Sequence, residues 1–497
     1  MAEAIGGGRG GHGDWRRWTA LGMAVAFGTF CSNRMVTGEP ATSIVLGEAM
    51  RRGTTARVWI ELKAQGLFRP GLPPGAVAAE ARMPKPLALD VQTRLVYSET
   101  VLELVEDEGP AAPRAGAAVV APRAGAGASG RARKVARHVL QAASAINGEV
   151  RPTSAAIRPE VALLVAERRH RDGPVVVVSP TGPLTRSELE LVQAVGDPLA
   201  LADVLPGGPV GPGQHWRVGD LAAQAISGYD VLTSNALDAA LESVDGARAR
   251  VRITGRVEGS ALGGTGLMTC EGFLTFDRRM GWIDRLELDR VESRRPGPIE
   301  AGLDVKSTLT MTRRAEPPPA TLTEAALAGI PREITPVRQR LLLIAPDGKS
   351  SMLHDRHWHT FWDDPKRIVL KRLEGTQVLA QCNIAIGPAA GKGRHQDPAQ
   401  FRDDIRRSLR HRFVQFLGAG EIDGDPAGGF HYKVGVRGRE GNLGVVWYYY
   451  LVASPAGDQL LVTFTLADES ARAFGDQDTE MIGSLRWSGL SRGPNRQ

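Results

Sequence analysis

Cysteine is scarce: Cys31, Cys270 and Cys382 are the only three in 497 residues. So few and so scattered, they cannot form a disulfide framework even in an oxidising compartment, and stability must come from core burial. Lysine is scarce too, contributing nine of the 61 Lys and Arg residues. The net charge of +6 is spread along the chain and interleaved with Asp and Glu. No aromatic-basic module accompanies it, which excludes a nucleic-acid partner. Beyond residue 30 no apolar run is long enough to span a bilayer, which takes about 20 residues. Catalytic signatures are also missing: there is no Gly-x-Ser-x-Gly and no His-Glu-x-x-His. What remains is a globular composition, 42% hydrophobic and 23% charged, in a chain long enough for several domains.

The N-terminal stretch carries the one addressing signal. Trp15-Arg16-Arg17 followed by the apolar run Trp18 to Phe30 matches the basic and hydrophobic regions of an export signal, and Cys31 sits where a lipoprotein cysteine would. Residues 1–39 therefore read as an export signal or N-terminal anchor, with membrane association through this segment. The competing reading is a buried helix in a cytosolic protein. The expected location is extracytoplasmic, in a bacterium with a GC-rich genome.

Residues 40–315 read as antiparallel strand. Leu303, Val305, Leu309 and Met311 alternate with Asp304, Lys306, Thr308, Thr310 and Thr312, and Val251, Ile253 and Val257 alternate with arginines in the same way. Such two-residue periodicity places one face on a core and the other in water. Segments 272–277 and 282–289 form a hairpin pattern. Thr185 with Glu188 makes a capping box for a helix over 185–196. The repeat Ala-Pro-Arg-Ala-Gly-Ala at 112–117 and 121–126 marks 108–132 as a disordered insertion.

Residues 316–337, with Pro317-Pro318-Pro319, read as a linker, and 489–497 as a flexible tail. Between them, strands at 341–344, 368–370 and 378–386 precede a helical stripe of Phe401, Ile405, Leu409, Phe413 and Phe416 opposite Arg402, Asp403, Arg406 and Arg410. Strands return at 430–437, 444–453 and 459–465, followed by a helix over about 469–485. The order predicts an α+β sandwich over 338–488, an antiparallel sheet between helices.

The strand Val446 to Val452, the turn Pro455-Ala456-Gly457, the strand Leu461 to Thr465 and the closing helix through Leu485-Arg486-Trp487 resemble PsbP-like and DcrB-like domains. That resemblance implies an extracytoplasmic binding or accessory role and carries no shared active site. The segment 205–218 resembles a turn common in large secreted bacterial β-proteins, and the strand-rich 40–315 resembles in outline the LolA-like carrier class. This implies a curved half-barrel around one helix, whose concave face would take acyl chains.

His354, His357 and His359, with Asp355 between them, are the candidate metal ligands, because His-x-His on a strand puts two imidazoles on one face. Trp447, Tyr448, Tyr449 and Tyr450 are the candidate interaction surface. Asp347-Gly348-Lys349-Ser350 reads as a hairpin turn. No catalytic residue and no cofactor are assigned. The expected function is a non-enzymatic envelope binding module for a protein partner. The alternatives are a carrier of an apolar ligand and a metal-dependent enzyme using the three histidines.

Overall fold

The computed structural model describes residues 43–70, 85–105, 129–147, 149–150, 156–168, 173–422 and 429–487. The export segment, both Ala-Pro-Arg-Ala-Gly-Ala repeats and the tail from 489 lie outside them.

The first strands are β1 (Ile44–Val45), β2 (Thr55–Arg69), β3 (Leu87–Leu104), β4 (Ala132–Ile146), β5 (Glu149–Val150), β6 (Leu163–Arg168) and β7 (Val175–Val178). Helices α1 (Arg186–Val192) and α2 (Pro198–Leu201) follow, then β8 (Pro209–Val210), β9 (His215–Arg217) and α3 (Asp220–Ser227). Five long strands complete the unit: β10 (Val231–Asp245), β11 (Arg248–Ala261), β12 (Gly264–Asp277), β13 (Trp282–Arg294) and β14 (Gly302–Ala315). Twelve strands form one antiparallel sheet, ordered β7-β6-β4-β3-β2-β14-β13-β12-β11-β10-β9 with β5 on β4, while β1 and β8 pair apart. The β10–β14 meander thus closes onto β2, joining early and late segments.

Alternation decides which face is dry. Val305, Leu309 and Met311 on β14 and Val251, Ile253 and Val257 on β11 are buried. Leu189, Val192, Leu199, Leu201, Ala222, Ala223 and Ile226 from α1–α3 meet Leu309, Met311, Val251, Ile253 and Val257 in one core. Each such aliphatic side chain contributes about 1.5–3 kcal/mol by leaving water. Three helices, not one, cover this face. The capping box is present: the Thr185 side chain accepts from the Glu188 amide while Glu188 accepts from the Thr185 amide.

Over β3, β4, β6 and β7 the opposite face is covered as well. The proline-rich stretch expected to link two domains forms a strap containing α4 (Glu324–Leu327). Its Leu322 and Leu327 pack on Leu102 and Ala136, and Ile334 packs on Val165 and Val178.

The remaining elements are β15 (Leu341–Ile344), β16 (Ser350–His354), β17 (Trp358–Asp363), β18 (Arg367–Glu374), β19 (Gln377–Ile386), α5 (Pro398–Leu409) and β20 (Phe413–Glu421). After them come β21 (Phe430–Glu440), β22 (Leu443–Ala453), β23 (Gln459–Ala467), α6 (Ala471–Phe474), α7 (Gln477–Gly483) and β24 (Arg486–Trp487). Seven strands make an antiparallel sheet ordered β17-β18-β19-β23-β22-β21-β20, and β15-β16-β24 make a second, small one. The hairpin turn at Asp347 forms as expected, its carboxylate accepting from the amides of Lys349 and Ser350 at 2.9 and 3.2 Å.

The α+β class is corrected. The chain is β-rich with two large antiparallel sheets, and its helices are too few and too short to be layers. One face of the seven-stranded sheet packs on the three-stranded sheet with α6 and α7, which have 4 and 7 residues. The other face packs against α5, a helix of 12 residues. Two local events shorten the expected helices. The stripe running to Phe416 stops at Leu409, because Arg410 turns to φ 50° and Phe413 and Phe416 enter β20. The closing helix breaks at Gly475, where φ is 60°.

Candidate functional site

The three histidines do not assemble into a ligand set. His354 ends β16, is buried, and donates from Nδ1 to the Asp355 carbonyl at 2.7 Å. His357 lies in the turn before β17, its ring exposed and 3.3 Å from the Asp355 carboxylate. His359 follows buried Trp358 on β17. His357 is exposed in the turn, whereas His359 is part-buried on the strand. Among the described residues no group of three His, Cys, Asp or Glu is placed to share a metal ion. Burial, reinforced by nearby Arg186, holds the His354 imidazole down to about 4 and His359 to about 3. Burial works against the Asp355 carboxylate, but the His357 ring and amide donate to it and bring it down to about 2.

The aromatic strand is not a free surface. β22 lies between β21 and β23, and both faces of its sheet are covered. Trp447 and Tyr450 are buried, while Tyr448 stacks on Phe474 and Tyr449 packs beside the α5 core. The Tyr450 hydroxyl donates to Asp478 at 2.6 Å, pinning α7 to the sheet.

Other charged groups are also engaged within the molecule. A chain of ion pairs runs from Glu48 to Arg313 (3.1 Å), Glu99 (2.7 Å), Arg137 (3.3 Å) and Asp197 (2.7 Å). The two guanidinium groups also lie over Trp282 and Tyr97. Burial raises the Glu48 carboxyl despite Arg313. Where the two large sheets meet, Arg186 donates to the carbonyls of Arg356 and Trp358, and Arg356 donates to those of Gln339 and Val177. Glu190 lies near Arg186 at this junction, exposed at the surface.

The open site is elsewhere, at the edge of the seven-stranded sheet. Asp397 caps α5 by accepting from the Gln400 amide, Pro398 takes the first helical position, and Phe401, Ile405 and Leu409 anchor the helix on the sheet. The geometry turns Arg402 and Arg406 toward β20, where both lie over the Phe416 ring and Arg406 also lies over Phe413. Arg407, Arg410, His411, Arg412 and Glu440 line an open groove of about 780 Å³. Arg407 pairs with Asp404 and Arg412 with Glu440. Arg402, Arg406 and Arg410 have no carboxylate partner among the described residues. β20 ends the sheet, and Val414 and Leu417 on it are 52% and 44% exposed. Chemically the arrangement is a row of guanidinium donors beside a strand edge that no other strand pairs among the described residues. By helical spacing alone, Arg402, Arg406 and Arg410 fall on the face opposite the apolar stripe. The usable signal was the arginine-rich run 406–412 meeting a strand with no charge before Glu421.

No family model matches the chain, and no curated relative matches it. Solved structures with weak similarity include a crystal structure from Bacteroides thetaiotaomicron, at 13% identity and TM-score 0.23, covering 30% of this chain and 48% of that one. The translocator domain of the autotransporter NalP from Neisseria meningitidis is 7% identical at TM-score 0.08, covering 83% and 86%. OccK11 of Pseudomonas aeruginosa is 8% identical at TM-score 0.11, covering 84% and 97%. The chain spans about half the length of the first of these. At such TM-scores none carries an argument about fold or function, and none of the three is named as a PsbP-like or LolA-like protein.

Proposed function

We propose that this chain is a non-enzymatic, exported cell-envelope protein that works by holding a partner protein. The Trp15–Phe30 segment supports export. Among the described residues no helix is long and apolar enough to cross a membrane. The observation that carries the reading is a contrast. The buried ion-pair chain and the junction arginines are engaged inside the fold, whereas the α5–β20 edge is open, basic and backed by aromatic rings. Weighing against an apolar-ligand carrier is the inner face of the large sheet, whose side chains pack against α1–α3 in one continuous core.

The test is to tag the full chain at native expression, fractionate the cells, and measure the size of the envelope-extracted protein under native conditions. An envelope-associated complex well above the 53.2 kDa chain mass is expected. A cytosolic protein, or a lone chain carrying co-purified lipid in native mass spectrometry, would replace the reading.

A further inference from the structure

We propose that the β20 edge and the arginines beside it form a docking site for an extended, acidic peptide segment of a partner protein, bound by strand addition. The inference rests on the interaction reading above and names the chemistry of the partner.

Backbone comes first. β20 pairs only with β21, so its outward N–H and C=O groups have no protein partner among the described residues. Natural edge strands are usually guarded by lysine, proline, inward charge or a covering segment. β20 has no lysine, no proline and no charge before Glu421. Among the described residues, a side chain added at Gly418 or Gly420 would meet nothing within 4 Å, so the sheet face there is open. The one guard is a pair of bulges, between Phe413 and Gln415 and between Phe416 and Gly418. Beyond them Gly418, Ala419, Gly420 and Glu421 keep unbroken register with Gly435 to Tyr432, a straight stretch onto which another strand can add.

Charge then selects the occupant. Arg402, Arg406 and Arg410 lack carboxylate partners among the described residues, and ring contacts hold two of them beside the strand. A partner strand carrying Asp or Glu on alternate residues would supply both backbone and counter-charge. An anionic lipid surface could meet the arginines but not the edge backbone.

Arg410 gives the discriminating variant. Its φ of 50° and ψ of −123° belong to a region that favours glycine. Arg410→Gly therefore removes a cation at a position whose backbone conformation glycine adopts without strain.

The experiment selects a library of random peptides about a dozen residues long on the full chain, and repeats the selection on the R402Q/R406Q/R410G variant. Acidic, alternating peptides are expected to be enriched on the native chain and to bind the variant at least about tenfold more weakly. N-methylation of one alternate set of peptide amides should abolish binding, while the other set tolerates it. Absence of acidic enrichment, equal binding to the variant, or indifference to both methylation patterns overturns the proposal. So does capture of vesicles rich in anionic phospholipid with no capture of peptides. If the native envelope complex persists in the triple variant, the docking site is wrong while the interaction reading stands.

Discussion

Two arginines in the large sheet show how individual residues set limits on this fold. Arg137 is 2% exposed, held between Glu99 and Asp197, and Arg313 repeats the arrangement between Glu99 and Glu48. Replacing Arg137 with Leu leaves carboxylates stranded in a dry core, and we expect a loss of about 3–5 kcal/mol in urea unfolding. A cost below 1 kcal/mol would mean that water reaches the cluster. His354 gives the pH counterpart. Folded, it stays neutral down to about pH 4, against 6.5 for a free imidazole, because burial and then Arg186 oppose its charge. Between those values the unfolded chain takes up a proton that the folded chain refuses. Stability is therefore complete above pH 6.5 and falls as pH drops toward 4, by roughly 3 kcal/mol from this group. Urea midpoints for the native chain and a His354→Leu variant, compared at pH 7 and 4.5, should converge at the lower pH. A gap that does not change with pH would show that His354 is not the responsive group.

At the scale of the element, the Thr185–Glu188 box decides where α1 begins. Thr185→Ala should cost about 1 kcal/mol, read by thermal melts, since one amide loses its acceptor. This cap was legible because its signal is local, as was the Leu303–Thr312 alternation that became β14. The hairpin of β12 and β13 was legible for the same reason. What failed depended on neighbours that a single segment does not reveal. Trp447 to Tyr450 reads as an exposed aromatic strand until β21 and β23 flank it and α5 and α7 cover its faces. The stripe from Phe401 to Phe416 keeps helical spacing throughout, yet it ends at a non-glycine residue with positive φ, for which the local sequence gives no cue. Gly475 was a visible breaker within the last predicted helix. His357 and His359 have the spacing of strand ligands, but the strand starts one residue after the first of them.

Across the whole molecule, each large sheet has its own core, and the two meet through contacts of an unusual kind. Leu341 of β15 belongs to the core of the large sheet, and the Leu342 amide donates to the Leu184 carbonyl at 2.8 Å. Around this seam Arg186 and Arg356 reach in opposite directions, each donating to two carbonyl oxygens. Burial lowers both guanidinium groups, Arg356 to about 10, with the Glu190, Asp355 and Asp230 carboxylates opposing the shift at Arg186. That arrangement makes the seam dependent on both sheets being folded, because the carbonyls of Gln339, Val177, Arg356 and Trp358 come from segments ordered by different cores. An R186M/R356M variant leaves those four acceptors without their donors, at about 1–3 kcal/mol for each one left unsatisfied. The native chain should unfold in one calorimetric transition, and the variant should split it in two. Tryptophan emission would follow mainly Trp358 and Trp447 in one sheet and Trp59 and Trp282 in the other. A single transition in the variant would place the coupling instead in the strap, where Leu322, Leu327 and Ile334 press on β4, β6 and β7.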